Sequence, residues 1–124
     1  MTETKKEQLE TVLSGLKKIG GIRSSAVISR DGLVIAADLS KNVNADTFAA
    51  MSAAMQGAAE TAISEMKQGE INQIIIDSSN GKMISIGAGK NAILVILTDP
   101  EINLGLVLLS LGKASGKISD ILQG

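Results

Sequence analysis

Six consecutive residues, Ala92-Ile93-Leu94-Val95-Ile96-Leu97, are apolar without interruption. Successive side chains of an extended strand point to opposite faces, so a run of this kind needs cover above and below. That places it at the centre of a sheet with helices on both sides. Ile74-Ile75-Ile76 makes the same demand over a shorter stretch.

Helical patterns are available to meet it. Thr4-Lys5-Lys6-Glu7 matches a capping box, and Leu9, Val12, Leu13, Leu16 and Ile19 follow at three- and four-residue steps before Gly20-Gly21. A second, longer helix is expected from a cap at Asn44 or Asp46 to about Lys67, ended by Gly69. Its stripe of Phe48, Met51, Met55, Ala59, Ala62 and Met66 is expected to face the core. A closing helix over Asn103 to Gln123, with Asp99-Pro100 as cap and first turn, presents Leu104, Val107, Leu108, Leu111, Ala114, Ile118 and Ile121.

Between the helices lie strands. Ser24 to Ser29 and Leu33 to Ala37 read as a hairpin with a two-residue turn at Asp31-Gly32. Ile71 to Asp77, Lys82 to Gly87 and Ala92 to Thr98 read as an antiparallel meander, its first turn at Ser79-Asn80-Gly81. The order is helix, two strands, helix, three strands, helix. The fold class is α/β: a three-layer α/β/α sandwich around a five-stranded, mainly antiparallel sheet. The 124 residues fit a single domain, 1-124.

Composition narrows function. There is no Cys, His, Trp or Tyr, and Phe48 is the only aromatic residue. Thiol nucleophiles, imidazole bases and zinc-ligand sets are therefore missing, as are platforms for stacking bases. Twelve basic residues against 13 acidic ones give no nucleic-acid footprint. No window is long and apolar enough for membrane insertion. The expectation is a cytoplasmic protein that is not an enzyme and needs no cofactor or metal.

Two glycine-lysine segments invite a phosphate-loop reading, and both fail it. Gly87-Ala88-Gly89-Lys90 has Ile84 at the first-glycine position and Asn91 after the lysine, and it leads into a strand. It reads as a hairpin turn. Gly112-Lys113-Ala114-Ser115-Gly116-Lys117 has Leu111 and Ile118 at the two required positions and reads as small residues for helix packing. Asp31, Asp38, Asp46, Asp77 and Asp99 sit at turns and element ends, where aspartate accepts backbone hydrogen bonds. Glu60 and Glu65 read as a solvated helix face.

The long helix has a second face, with Ala50, Ala53, Ala54, Gly57 and Thr61. These residues are small and uncharged, which permits close approach of another backbone. The strand from Ile71 to Asp77 would, at a sheet edge, invite pairing with another chain, since no proline guards it. Pairing between two copies answers both features. The expected dimer interface is Ala50, Ala53, Gly57, Thr61, Ile71, Gln73 and Ile75.

The hairpin Ala26-Val27-Ile28-Ser29-Arg30-Asp31-Gly32-Leu33-Val34-Ile35-Ala36 and the segment Leu94 to Pro100 followed by Asn103-Leu104-Gly105-Leu106-Val107 resemble the roadblock / dynein light chain domain family, of the prokaryotic small-GTPase regulator type. The resemblance spans nearly the whole chain and implies a roadblock-like, profilin-like fold. It also implies a homodimer, in which the third strand pairs with its symmetry mate while the long helices lie side by side. Members bind or regulate small Ras-like GTPases, or act as adaptors in motor and signalling complexes. The only arginines are Arg23 and Arg30, and neither is placed to enter a GTPase site. Function is thus expected to be non-enzymatic binding and regulation of a small GTPase. The alternative is a structural adaptor in a motor, polarity or signalling assembly.

Overall fold

A computed structural model describes residues 2–124. In chain order its elements are α1 (Lys5–Lys17), β1 (Ile22–Ser29), β2 (Val34–Asp38), α2 (Ala45–Glu65), β3 (Ile74–Ser78), β4 (Gly81–Gly87), β5 (Ala92–Thr98) and α3 (Leu104–Gln123). The strands form one antiparallel sheet in the order β2-β1-β5-β4-β3. α1 and α3 cover one face and α2 the other, giving the expected three layers.

The apolar run is the central strand β5, between β1 and β4. Leu94 and Ile96 join the core under α1 and α3, whereas Ile93 and Val95 join the core under α2. The larger core gathers Leu9, Leu13 and Leu16 of α1 with Val107, Leu111, Ala114 and Ile118 of α3. Each buried leucine there is worth about 2 kcal/mol. The capping box forms: the Glu7 N–H donates to the Thr4 hydroxyl at 3.1 Å and the Thr4 N–H to the Glu7 carboxylate at 3.1 Å.

Several local expectations need correction. The β1–β2 loop has three residues, Arg30-Asp31-Gly32, closed by Gly32 N–H to the Ser29 carbonyl and Ser29 N–H to the Leu33 carbonyl. Only Gly32 has positive φ, at 92°, so the turn is the three-residue hairpin type with glycine in the left-handed position. At the β3–β4 turn, Gly81 is needed for close approach, because a Cβ there would fall on the Thr98 carbonyl oxygen and the Arg23 guanidinium. β3 begins at Ile74, because its ladder with β4 starts at the Ile74–Ser85 pair. Ile71 and Gln73 therefore lie in the connection before it.

Two helix ends also differ. α2 closes with Gln68 N–H on the Ile63 carbonyl and Lys67 N–H on the Ser64 carbonyl, the paired bonds of a Schellman motif. Lys67, at φ 56°, occupies the left-handed position expected of a glycine, and Gly69 lies beyond it. α3 is capped by Asn103, whose side chain accepts from the Leu106 N–H at 3.1 Å. Asp99 is held elsewhere, in an ion pair with Arg23 at 3.2 Å.

Candidate interaction surface

α2 begins where the Asn44 side chain accepts from the Thr47 N–H at 2.9 Å, so Asn44 is the cap and Asp46 sits in the first turn. Its buried residues are Phe48, Ala49, Ser52 and Gln56. Of the stripe expected to face the core, only Phe48 is buried. Met51 and Met66 are 60% and 69% exposed.

Two contacts set this roll of the helix. The Gly32 turn presses on it, its α-carbon facing Ala49, Ala50 and Ala53, which only small residues allow. The Ser85 hydroxyl of β4 donates to the Gln56 side-chain carbonyl at 2.7 Å, which brings Gln56 inward as a hydrogen-bonded polar group rather than leaving a methionine there.

That hydrogen bond starts a chain. The Gln56 amide donates to Glu60 at 3.4 Å, and Arg30 Nη1 donates to both Glu60 oxygens at 3.0 and 2.8 Å. Arg30 Nη2 then donates to the Gly89 carbonyl at 3.3 Å. Ser85, Gln56, Glu60, Arg30 and Gly89 thus fasten α2 to β4, to the β1–β2 turn and to the β4–β5 turn. Glu60, expected as a solvated position, is half-buried and belongs to the scaffold. Arg23 is held as well, by the Asn80 and Thr98 carbonyls at 3.0 and 2.7 Å and by Asp99. Gly87-Ala88-Gly89-Lys90 joins β4 to β5 as a turn, closed by Ala88 N–H on the Ala92 carbonyl at 2.9 Å.

Beside the fastened side of α2 lies an uncovered one. Met51, Met55, Ala58, Ala62 and Met66 follow at steps of four and three and share a flank; Ala50, Ala54, Gly57 and Thr61 share the outermost face. β3 is the sheet edge next to β4 and is exposed along nearly its whole length. Ile74 and Ile76 pair with Ser85 and Met83, so they lie on the α2 side of the sheet, with Ile76 at 41% exposure. Ile75 pairs with Ile84 and lies on the opposite side, at 39%.

The seven expected interface positions therefore separate. Ala50, Gly57 and Thr61 are exposed on the outer face of α2, and a Cβ on Gly57 would meet nothing within 4 Å. Ala53 is half-buried toward its own hairpin turn. Ile75 lies on the edge strand, whereas Ile71 and Gln73 precede it. Ile74, Ile76 and the methionine flank are the surface residues missed. The apolar doublet flanking Ile75 and the methionine spacing were the available signals.

No described helix is long and apolar enough to cross a membrane. A family model for the Roadblock/LC7 domain matches residues 8–98. Among curated proteins, the uncharacterized protein MJ0310 of Methanocaldococcus jannaschii is 41% identical over 110 residues, covering 89% of this chain and 96% of its own. Among solved structures, Myxococcus xanthus MglB superposes with a TM-score of 0.90 at 20% identity, covering 99% of this chain and 93% of that one. Acanthamoeba castellanii profilin II shares the fold more loosely, with a TM-score of 0.59 at 19% identity over 90% and 94% of the two chains.

Proposed function

The chain belongs to the Roadblock/LC7 domain family, and on that premise we propose that it is a cytoplasmic, non-enzymatic, homodimeric scaffold that binds and regulates a small Ras-like GTPase. The observation that carries the dimer is the unpaired edge strand β3, with Ile74 and Ile76 on the same side as the uncovered flank of α2. An exposed apolar edge of this kind is normally blunted or covered. Pairing β3 with its symmetry mate satisfies the edge and brings two α2 helices together, with Ala50, Gly57 and Thr61 at or beside the seam.

Binding rather than catalysis is supported by the fate of the arginines. Arg23 and Arg30 are held by carboxylates and backbone carbonyls of their own chain, so an arginine donated into a GTPase site would first break those bonds. Regulation then works by preferring one nucleotide state of the partner, and a tenfold preference corresponds to about 1.4 kcal/mol. The test is calorimetric titration of the chain with small Ras-like GTPases from its own genome, each loaded with GDP or a non-hydrolysable GTP analogue. Binding with at least a tenfold preference for one state is expected. No binding in either state refutes the GTPase reading and favours the adaptor role.

A further inference from the structure

The end of the sheet where β4 turns into β5 carries a polar cavity that the scaffold role leaves unused. It holds about 560 Å³ and lies between the last turns of α2, the segment before β3 and the β4–β5 turn, with Gln123 of α3 alongside. Small-molecule sites commonly have about 300 to 1,000 Å³. One wall is built by Gly69, which at φ 87° redirects the chain after α2 and brings Glu70 and Ile71 to the cavity. The other is the Gly87-Ala88-Gly89-Lys90 turn, seated so closely on α3 that a Cβ on Gly89 would lie 2.9 Å from the Ser119 hydroxyl.

The charges on these walls are not all spent within the fold. Arg30 and Glu60 neutralise one another across 2.8 Å. Glu70 and Lys90 are exposed on opposite walls, and among the described residues neither is in an ion pair. Opposite charges that line one cavity without meeting suit a ligand that carries both signs. We infer that this cavity binds a small zwitterion, a free polar α-amino acid, with its carboxylate at Lys90 and its ammonium at Glu70.

The orientation follows from the donors and acceptors. The N–H groups of Gly89, Lys90 and Asn91 donate to no acceptor among the described residues, which leaves three donors beside the Lys90 ammonium. Arg30 Nη2 donates to the Gly89 carbonyl at 3.3 Å, and that polarises the same peptide group and strengthens its Lys90 N–H as a donor. Past Lys90 the cavity continues into a recess of about 110 Å³, where Asn91, Ser119 and Gln123 supply further polar groups and no carboxylate side chain stands among the described lining residues. On the opposite wall the Glu60 oxygens are already taken by Arg30 and Gln56, so Glu70 is the free acceptor for an ammonium. Ser64 and Gln123 suit a ligand side chain that forms hydrogen bonds, since Ile71 is the one apolar side chain among the described lining residues. A peptide terminus presents one of the two charges, whereas a free amino acid presents both on one carbon.

The test is a titration of the full chain with L-glutamine to about 20 mM, read by backbone amide shifts in two-dimensional NMR. Two charge-assisted contacts at a solvent-open site correspond to a Kd of about 1 mM. Saturable shifts are expected at Gly69, Glu70, Gly89, Lys90 and Asn91. N-acetyl-L-glutamine keeps only the carboxylate and L-glutamine amide only the ammonium, and each should bind at least about fivefold more weakly. Lys90→Gln and Glu70→Gln, with folding checked by circular dichroism, should weaken L-glutamine binding by at least the same factor. Absence of saturable shifts at those amides overturns the site. So does a smaller loss for either one-charge analogue or for either variant; full binding of the N-acetyl form with Glu70→Gln silent would mean a simple anion site at the turn. Each of these results leaves the α2–β3 scaffold standing, because neither Lys90 nor Glu70 lies on that surface.

Discussion

Removing one half of the Ser85–Gln56 hydrogen bond should destabilise the fold more than removing both halves. Gln56 is 3% exposed and Ser85 fully buried, and the bond between them is 2.7 Å long. In Gln56→Leu the Ser85 hydroxyl remains buried beside an apolar group. The loss is one hydrogen bond, about 1 kcal/mol net, plus about 1–2 kcal/mol for the stranded hydroxyl. Ser85→Ala strands the Gln56 carbonyl but leaves its amide on Glu60, so about 1.5 kcal/mol is expected. The double substitution leaves an apolar pair with nothing stranded and should cost about 1 kcal/mol. The coupling is then about 2.5 to 3.5 kcal/mol. Urea unfolding, with all four proteins at one concentration so that any self-association contributes equally, reads it directly. With a slope near 1.5 kcal/mol per molar, Gln56→Leu should lower the midpoint by more than about 1 M. Additivity within about 0.5 kcal/mol would refute the account of how α2 is fastened.

Three further outcomes are expected. The Thr4 backbone N–H and hydroxyl hold the Glu7 carboxyl below the ordinary glutamate range. Its contribution to stability is therefore present above the unfolded-state pKa and lost as pH falls through the folded one. Glu7→Gln should remove that part of the acid dependence, and an unchanged slope of stability against pH would count against the charged cap. Lys67→Gly should raise stability by about 1 kcal/mol by relieving the left-handed backbone, a result checked by thermal unfolding and contradicted by an unchanged or lower midpoint. Gly57→Leu should leave the protomer folded, since a Cβ meets nothing there, yet weaken self-association; an unchanged dimer mass would argue against close helix approach at that position.

The layer architecture was legible because β5 is apolar on both faces, a pattern few folds accommodate. The first hairpin and the capping box were legible from local chemistry at Gly32 and Thr4-Glu7, whereas the β3–β4 turn falls on Ser79-Asn80 and Gly81 serves close approach rather than the positive φ an Asn-Gly turn needs. The roll of α2 was not. Hydrophobic periodicity reports which sides of a helix are apolar, and α2 has an apolar flank as well as a small-residue face, so the pattern could not say which one the sheet covers. The fastening network was hidden for a different reason. Arg30, Gln56, Glu60, Ser85 and Gly89 come from four parts of the chain, and only folding brings them together. A glutamine amid alanines and a serine between Ile84 and Ile86 were its traces. Lys67 misled by chemistry, since a left-handed helix end normally advertises itself with glycine.

Amide hydrogen exchange at β3 tests the central claim most directly. In an isolated chain the β3 N–H groups that point away from β4 have no ladder partner and should exchange at rates close to those of an unprotected amide. Pairing of β3 with its symmetry mate predicts protection of those same amides comparable to that of β4, lost in Ile76→Lys. Unprotected outer amides at concentrations where the protein is dimeric by mass would contradict the paired-sheet scaffold.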